Sequence, residues 1–252
     1  MQIGYLNAFT DNYIWFIQNN HDLVVIDPGE SAVVIDYITT NQLNLKSLIL
    51  THDHNDNIGG VAEILKKYKV PVFGMGEIPD RKLSGGEVVD LTNWLTAKTL
   101  ATPGHTYTSI CYMMELNGHK HLFCGDTLFA AGCGRVFTGD FKAMYKSLTE
   151  LGSLDPEFQV YPGHEYTLKN LSFAQYLEPD NTMVTNRIKI EQEKLERTGN
   201  SLPVSMAVEL LTNPFLRTSD PDIVNAVSQI TGKNLNPGFE CFVQLRELRN
   251  NF

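Results

Sequence analysis

The chain has 252 residues, of which 42% are hydrophobic and 19% charged, and its 29 acidic against 20 basic residues give a formal net charge of -9. This balance excludes a disordered chain and predicts a globular protein with a sizeable core. No apolar run reaches the roughly 18–20 residues of a membrane span, and the first residues lack the basic and apolar stretches of a signal peptide. The acidic charge disfavours nucleic acid as a partner. We therefore expect a cytoplasmic protein that binds neither membranes nor nucleic acids.

The cysteines support this location. They are Cys111, Cys124, Cys133 and Cys241, with no Cys-x-x-Cys pair among them. A chain of this length does not depend on disulfides for its stability. We expect buried free thiols in a reducing compartment.

Short apolar runs alternate with a helical pattern in the first two thirds of the chain. Apolar or β-branched runs that end at polar loops predict strands at residues 23–27, 47–51, 70–73, 110–114 and 121–124. Residues 58–68 have the apolar spacing of a helix with lysines on the opposite face. Asn117-Gly118, between the last two strands, is a strong hairpin signal. These elements predict a mixed sheet, or two sheets, covered by helices.

The pattern changes near residue 168. Residues 185–197 form a charged amphipathic helical pattern that ends at Gly199-Asn200, and residues 220–230 predict a second helix with Pro221 in its first turn. No strand pattern of similar strength occurs in this region. We therefore divide the chain into residues 1–167 and a smaller, mainly helical domain of residues 168–252.

Four of the seven histidines lie where an apolar run ends in a polar loop. Residues 51–57 read Thr-His-Asp-His-Asn-Asp-Asn, residues 102–106 read Thr-Pro-Gly-His-Thr, and residues 161–165 read Tyr-Pro-Gly-His-Glu. Asp126 follows the strand predicted at residues 121–124 in the same way. Loops at strand ends are common positions for functional groups in α/β proteins.

The spacing of these residues suits metal binding. In an extended segment His52, His54 and Asp56 would point the same way, so one loop can present three ligands. Imidazole and carboxylate are ligands of zinc, iron and manganese. Together with His105, Asp126 and His164, which also lie at strand ends, these three residues provide enough ligands for two ions that share a bridging carboxylate.

The remaining histidines have a simpler interpretation. His119 and His121 flank the predicted hairpin and should face solvent, and His21 lies in a polar turn. The chain has neither a Gly-x-x-x-x-Gly-Lys-[Ser/Thr] phosphate loop nor a Gly-x-Ser-x-Gly elbow. Nucleotide hydrolysis and serine-esterase chemistry therefore lack their usual residues.

The motifs resemble those of the metallo-β-lactamase superfamily, in the order Thr-His-Asp-His-Asn-Asp, Thr-Pro-Gly-His-Thr, Cys-Gly-Asp-Thr-Leu-Phe and Gly-His-Glu-Tyr-Thr. Residues 9–15, 131–135 and 213–217 look like signatures of one branch, glyoxalase II, the hydroxyacylglutathione hydrolases. The similarity covers nearly the whole chain. It implies an α/β fold, namely an αββα sandwich followed by a helical glutathione-binding domain.

The resemblance also implies a set of metal ligands. They are His52, His54 and His105 for a first ion, Asp56, Asn57 and His164 for a second, and Asp126 as a bridge between the two. The superfamily has histidine where this chain has Asn57, whose carbonyl oxygen is a weaker and harder donor to zinc than imidazole nitrogen. We therefore expect two divalent ions, with zinc favoured over iron and manganese, and a weaker second site.

The implied activity is hydrolysis of a glutathione thioester. Water between two such ions loses a proton near neutral pH and becomes a nucleophile. In this family it attacks the thioester of S-D-lactoylglutathione, and the products are D-lactate and glutathione, as in the second step of methylglyoxal detoxification. Asp56 and Asp126 would be the catalytic carboxylates, with Asp56 orienting the hydroxide or accepting its proton.

The family's substrate contacts correspond to Arg135, Phe137, Tyr166, Arg246 and Arg249. Phe137 replaces a frequent tyrosine and lacks its hydroxyl group, and Arg249 stands where lysine is common. Three arginines predict a positive cleft in an acidic chain, suited to the two carboxylates of glutathione. We expect a monomer.

Two other functions remain open at this point. If Asn57 empties the second site, then His52 or His54, with His105 and Asp126, would form a two-histidine, one-carboxylate iron site. Persulfide dioxygenases of the superfamily use such a site but lack the extended helical tail. The third possibility is a non-catalytic binding module, against which the six other retained ligands argue.

Overall fold

Two six-stranded sheets pack face to face in the computed structural model, which describes residues 1–252. In spatial order, the first sheet contains β1 (Gln2–Ala8), β2 (Asn12–Asn19), β3 (Asp22–Ile26), β4 (Asn44–Ile49), β5 (Val72–Gly74) and β6 (Arg81–Lys82). The second contains β14 (Val204–Ser205), β13 (Gln159–Pro162), β10 (His119–Gly125), β9 (Ile110–Leu116), β8 (Thr96–Ala101) and β7 (Val88–Asp90). A separate short hairpin consists of β11 (Leu128–Phe129) and β12 (Gly132–Cys133).

Nine α-helices complete the fold. They are α1 (Ser31–Thr40), α2 (Asn55–Ile58), α3 (Val61–Lys67), α4 (Phe141–Gly152), α5 (Thr167–Leu177), α6 (Thr182–Thr198), α7 (Met206–Thr212), α8 (Pro221–Thr231) and α9 (Phe239–Asn250), with a 3-10 turn at Pro214–Leu216. None of them is long and apolar enough to span a bilayer.

Side chains along the strands of the first sheet point alternately to its two faces, and each face packs into a separate hydrophobic core. Val24 belongs to the large cluster that both sheets share, whereas its neighbour Val25 packs on the other face with Val34 of α1 and Ile64 of α3. Successive strand residues point to opposite faces, so a strand that is covered on both sides is apolar throughout. The predicted αββα sandwich with a helical C-terminal region is confirmed.

Local signals also predicted the hairpin correctly. Leu116 pairs with His119, and Asn117 and Gly118 have φ angles of 53° and 78°. Both are positive, as the tight turn of a two-residue hairpin requires. The helix predicted at residues 58–68 is divided: Ile58 ends α2 and α3 begins at Val61, and the Gly60 N–H between them donates to the Pro28 carbonyl at 2.9 Å.

The C-terminal helices begin and end where their capping residues indicate. The side chain of Asn181 accepts backbone hydrogen bonds at the start of α6, and Gly199, with φ 70°, ends this helix. Asp220 caps α8, which has Pro221 in its first turn. The sequence showed no comparable strand pattern after residue 168, and the prediction that this region lacks strands is wrong for β14. This strand is too short to show a hydrophobic pattern, yet it pairs with β13 and forms the edge of the second sheet.

One histidine prediction is also wrong. His119 is exposed as expected, but His121 is buried, and its Nδ1 lies 2.9 Å from the Tyr161 hydroxyl oxygen. The ring of Tyr161, on the adjacent β13, lies against it with centroids 5.6 Å apart, a contact that a hairpin signal does not reveal. All four cysteines are buried and free, as predicted.

Candidate metal centre and substrate cleft

The loops after β4, β8, β10 and β13 meet at one edge of the sandwich. The Ile110 N–H donates to the Thr51 carbonyl at 2.8 Å, and the Gly163 N–H donates to the Gly125 carbonyl at 2.9 Å. Glycine is needed at position 163, because a Cβ there would lie 2.5 Å from Oδ1 of Asp126. These contacts bring the histidine loops and the aspartate loop together, although they are far apart in sequence.

Four predicted ligands form a tight cluster. His52, His54, His105 and Asp126 each offer a ligand atom, and these atoms lie within 4.8 Å of one another. Nε2 of His105 lies 3.0 Å from Nδ1 of His54 and 3.5 Å from Oδ2 of Asp126. Burial lowers the pKa of His52 to about 4 and also lowers the pKa of His105. Both imidazoles are therefore neutral near pH 7, which is the form that binds metals.

Outer contacts orient two of these rings. Nδ1 of His105 lies 2.8 Å from the Arg135 carbonyl oxygen and donates to it, which leaves the Nε2 lone pair free. Nδ1 of His52 lies 3.1 Å from the Thr51 hydroxyl, which donates to Asp27 at 2.7 Å. Burial raises the pKa of Asp27 to about 7 although Thr51 also donates its backbone N–H to the same carboxylate.

A second cluster forms around His164. Its Nε2 lies 3.3 Å from Oδ2 of Asp56 and 3.2 Å from Oδ2 of Asp126, and its Nδ1 lies 2.8 Å from Oδ1 of Asp11. Burial opposes the charged form of His164, but hydrogen bonds to these carboxylates raise its pKa well above the usual range. A hydrogen bond from His164, helped by one from Asn12, lowers the pKa of Asp56. The histidine proton therefore links the two carboxylates, and a bound cation would take over that role.

The prediction that one extended segment presents His52, His54 and Asp56 together is wrong for Asp56. This residue lies in the first turn of α2, and its carboxylate faces His164. The bend after His54 therefore divides the loop between the two clusters.

Unpartnered donor atoms test whether the residues fit metal ions. Nε2 of His52, Oδ1 of Asp126 and Oδ1 of Asn57 are buried and have no hydrogen-bond partner. Buried polar atoms are nearly always paired in proteins. Three orphaned donors in one small region, of types that ligate divalent cations, fit a metal centre that includes Asn57.

A cleft of about 520 Å³ opens beside these clusters. All five predicted substrate-binding residues line it: Arg135, Phe137, Tyr166, Arg246 and Arg249. The Phe137 ring is 61% exposed and lies edge-on to His54 and His105, with ring centroids 5.3 Å from each. The Tyr166 ring stacks on His164 at 4.8 Å. Two aromatic rings thus flank the metal centre.

Arg246 and Arg249 have no acidic partner. Arg246 is 6% exposed and donates to a backbone carbonyl, and Arg249 donates to an amide oxygen. By contrast, Arg187 and Arg217 pair with glutamates. Burial, together with the charge of Arg246, lowers the pKa of Arg249. Uncompensated, partly desolvated guanidinium groups favour an anionic ligand.

Several residues that line the cleft were missed from the sequence. They are Asp11, Phe129, Cys133, Lys169, Asn170, Asn250 and Phe252. Lys169 follows Tyr166 by three residues at the start of α5, so helical spacing could have placed it near the site. Nothing local to Asp11 indicated its contact with His164.

Two family models together match the chain from residue 8 to its last residue. "Metallo-beta-lactamase superfamily" matches residues 8–164, and "Hydroxyacylglutathione hydrolase C-terminus" matches residues 165–252. A Nitrosomonas eutropha protein named hydroxyacylglutathione hydrolase is 40% identical over 252 residues, covering 98% of this chain and 97% of that protein. A Neisseria gonorrhoeae protein of the same name is 41% identical over 253 residues, covering 99% of each. The chain belongs to the hydroxyacylglutathione hydrolase family of the metallo-beta-lactamase superfamily.

Solved structures share the fold of this family. ETHE1 from Myxococcus xanthus has a TM-score of 0.66 and 24% identity, with 99% of this chain and 98% of that chain covered. A metallo-beta-lactamase from Staphylococcus aureus has a TM-score of 0.62 and 19% identity, with 99% of this chain and 71% of that chain covered. The full-length relatives do not favour the dioxygenase or the non-catalytic alternative.

Proposed function

We propose that this chain is a metal-dependent thioester hydrolase that cleaves S-D-lactoylglutathione into D-lactate and glutathione. The observation that carries the proposal is one cleft in which a histidine and carboxylate cluster lies beside arginines without acidic partners. The full-length relatives that share the name hydroxyacylglutathione hydrolase support it.

The residues proposed to hold two divalent cations are His52, His54 and His105 for the first, Asp56, Asn57 and His164 for the second, and Asp126 for both. Such cations supply the charge that activates water near neutral pH and stabilises negative charge on the thioester oxygen. We propose zinc for the first site, because three imidazoles and a carboxylate suit it.

The protein groups around this centre have distinct roles in the proposal. Asp56 accepts a proton from the attacking water, and the Asn12 carboxamide, which donates to its Oδ2 at 2.9 Å, holds it in place. The backbone carbonyl of Arg135 keeps His105 in the tautomer that leaves Nε2 available. Phe137 and Tyr166 flank the reacting centre and exclude water from part of it.

The arginines bind the glutathione part of the substrate. Arg246 and Arg249 lie on α9 at i, i+3 spacing, and Arg135 lines the same cleft. A carboxylate of glutathione supplies the counter-charge that no protein side chain provides, in the forked geometry that arginine favours. Lys169 adds a cation to this cleft.

The proposal also assigns a role to each domain and gives the cellular location and oligomeric state of the enzyme. Residues 1–167 provide the metal ligands, and residues 168–252 provide three of the four cations in the cleft, Lys169, Arg246 and Arg249. We propose that the chain is a monomer in the cytoplasm; the four buried, free cysteines, which are typical of reducing compartments, support the location.

The proposal is tested by removing and restoring metal. The purified chain should hydrolyse S-D-lactoylglutathione, and a chelator should lower the rate by on the order of a thousandfold, because activation of water depends on the cations. Loss of thioester absorbance is followed before chelation, after it, and after divalent metal is added back. A fully metallated chain that leaves the thioester intact would refute the proposal.

Replacing Arg249 with methionine should raise KM for S-D-lactoylglutathione about tenfold and leave kcat nearly unchanged, because a charge-assisted contact to a remote carboxylate is lost. Arg197→Met, at an exposed position at the end of α6, is the matched control and should leave both constants unchanged. A decrease in kcat with an unchanged KM would place Arg249 outside the glutathione contacts.

A further inference from the structure

Glu165 lies between two residues of the candidate site. Its neighbours are His164, which contacts Asp56 and Asp126, and Tyr166, whose ring stacks on that of His164 at 4.8 Å. Glu165 itself does not line the cleft. Any effect of its carboxylate on the reaction must therefore act through the residues to which it bonds.

The Glu165 carboxylate accepts hydrogen bonds from three residues. Its Oε2 accepts from the Tyr13 hydroxyl at 2.7 Å and from the Ser201 N–H at 2.9 Å. The Ser201 hydroxyl lies 2.8 Å from Oε1 and 2.7 Å from Oε2, and the Thr167 N–H donates to Oε1 at 3.2 Å. Tyr13, Thr167 and Ser201 are each at most 3% exposed. Without the carboxylate, their donors would be left buried and unpaired, which is costly.

These bonds join distant parts of the chain. Tyr13 lies on β2, Glu165 follows β13, and Ser201 lies in the loop between α6 and β14. The two matched family models meet at the same position, since one ends at residue 164 and the other begins at residue 165. The carboxylate therefore connects the sheets to the C-terminal helical region at the point where the chain passes from one to the other.

Backbone hydrogen bonds pair residues 11–13 with residues 163–165. The Tyr13 N–H donates to the Gly163 carbonyl at 2.8 Å, and the Glu165 N–H donates to the Asp11 carbonyl at 2.9 Å. The side-chain bond between Tyr13 and Glu165 adds a third link between the same two segments.

The paired segments carry groups of the candidate site. Oδ1 of Asp11 lies 2.8 Å from Nδ1 of His164, and the Asn12 carboxamide donates to Oδ2 of Asp56 at 2.9 Å. Nε2 of His164 lies 3.3 Å from the same oxygen of Asp56. A shift of either segment would therefore change the surroundings of the carboxylate that is proposed to accept a proton.

We infer that Glu165 is a positioning residue, whose carboxylate anchors these two segments to the loop before β14 and so fixes the contacts of His164 and Asp56. This inference deepens the proposed function and rests on it for the kinetic part of its test. The bonds from Tyr13 and from the Ser201 N–H converge on one oxygen atom, Oε2. The property required at position 165 is therefore an acceptor oxygen at this point rather than a negative charge.

Two substitutions at position 165 separate the acceptor from the charge. Leucine accepts no hydrogen bond, so Glu165→Leu should lower kcat for S-D-lactoylglutathione about thirtyfold through misplacement of the neighbouring groups. KM should change by less than about threefold, because Arg246 and Arg249 lie on α9, which makes no bond to Glu165.

Glutamine at position 165 is the conservative variant. With its carbonyl oxygen in the place of Oε2, it still accepts from Tyr13 and from the Ser201 N–H, and its amide can donate to the Ser201 hydroxyl oxygen. Glu165→Gln should therefore keep both kinetic constants within about threefold of the wild type. Equal losses of kcat in the leucine and glutamine variants, or a leucine variant with the kcat of the wild type, would overturn the inference.

Removal of a single bond tests the inference even if Glu165→Leu does not fold. Tyr13→Phe deletes only the hydroxyl that bonds to Glu165 and should lower kcat about fivefold. Tyr161→Phe is the matched control, because it deletes a hydroxyl that contacts His121 at 2.9 Å and does not line the cleft. It should leave kcat unchanged. Equal kcat values for the two phenylalanine variants would contradict a role for the Tyr13–Glu165 bond.

Hydrogen exchange measures the same anchoring without catalysis. In Glu165→Leu, the amides of Tyr13 and Glu165 position 165 should exchange at least about tenfold faster than in the wild type, whereas in Glu165→Gln they should not. The amides of β3 should be unchanged in both variants, which excludes a global loss of stability. Wild-type protection of the two amides in the leucine variant would overturn the inference.

The two readouts separate the inference from the proposed function. A metallated wild type that leaves the thioester intact overturns the function, and the exchange rates then still decide the inference. A wild type that cleaves the thioester, combined with a leucine variant of unchanged kcat and exchange, overturns the inference alone.

Discussion

Exchange of Asp126 for asparagine should lower kcat for S-D-lactoylglutathione by on the order of a thousandfold and reduce the metal content of the chain. Oδ2 of Asp126 lies 3.8 Å from Nε2 of His52, 3.5 Å from Nε2 of His105 and 3.2 Å from Nε2 of His164. One carboxylate therefore serves both clusters. Asparagine keeps its shape but removes the negative charge that two cations would share.

Rate and metal content must be measured together for this variant. Steady-state hydrolysis gives kcat, and elemental analysis gives the ions bound per chain. Asp53→Asn is the control: this residue lies between two ligand histidines but is exposed and forms no ion pair, so we expect rates within about twofold of the wild type. An Asp126→Asn chain that keeps full activity and both ions would exclude a shared carboxylate.

The proposed metal ligands could be selected from the sequence because their loops follow an abrupt change from apolar to polar residues. Such a change marks the end of a buried strand, and the ends of neighbouring strands meet at one edge of a sheet. His52 and His105, which follow β4 and β8, lie in different sheets but meet at the same edge of the sandwich. Hydrophobic patterning, together with the positions of the histidines and of Asp126, was sufficient to select the loops.

The partners that orient these ligands could not be found in that way. Asp11 reaches His164 across 153 residues of sequence, and Asp27 reaches Thr51 across 24. Such contacts depend on the register between strands and on loop geometry, which local patterns do not encode. Asp56 shows the same limit, because the start of α2 redirects a side chain that an extended segment would have placed beside His54.

The distribution of charge was predictable in part. The chain has a net charge of -9, yet Arg135, Lys169, Arg246 and Arg249 line one cleft with no carboxylate paired to any of them. The carboxylates in the same cleft face His164 or its neighbouring imidazoles. Bound cations would offset those acids, and the cleft would then present positive charge to an anionic substrate.

Glu209 connects the C-terminal helical region to the β11–β12 hairpin, whose Phe129 and Cys133 line this cleft. Its carboxylate is fully buried and accepts hydrogen bonds from Arg187 at 2.6 Å, from the Ala131 N–H at 2.9 Å and from Asn213 at 2.8 Å. Ala131 has φ 54°, which is unfavourable for a residue other than glycine. The conformation of the β11–β12 loop, and hence of the cleft wall, therefore depends on this carboxylate.

Replacing Glu209 with glutamine should lower the free energy of unfolding by about 3 kcal/mol, because the buried Arg187 would lose its closer counter-charge and keep only Glu191, at 3.6 Å. Urea denaturation followed by circular dichroism measures the loss. Glu193→Gln, on the exposed face of α6, is the control and should change the free energy of unfolding by less than about 0.5 kcal/mol.

A double variant separates the cost of an unpaired charge from the loss of hydrogen bonds. Glu209→Met leaves the buried Arg187 guanidinium with only Glu191, at 3.6 Å, as a counter-charge, whereas Glu209→Met combined with Arg187→Met removes both charges of the closer pair. We expect the double variant to be more stable than Glu209→Met by at least about 1 kcal/mol. If it is less stable instead, the carboxylate acts mainly through its bonds to Ala131 and Asn213. The main role of the buried Glu209–Arg187 pair would then be to fix the backbone of the cleft wall rather than to balance charge.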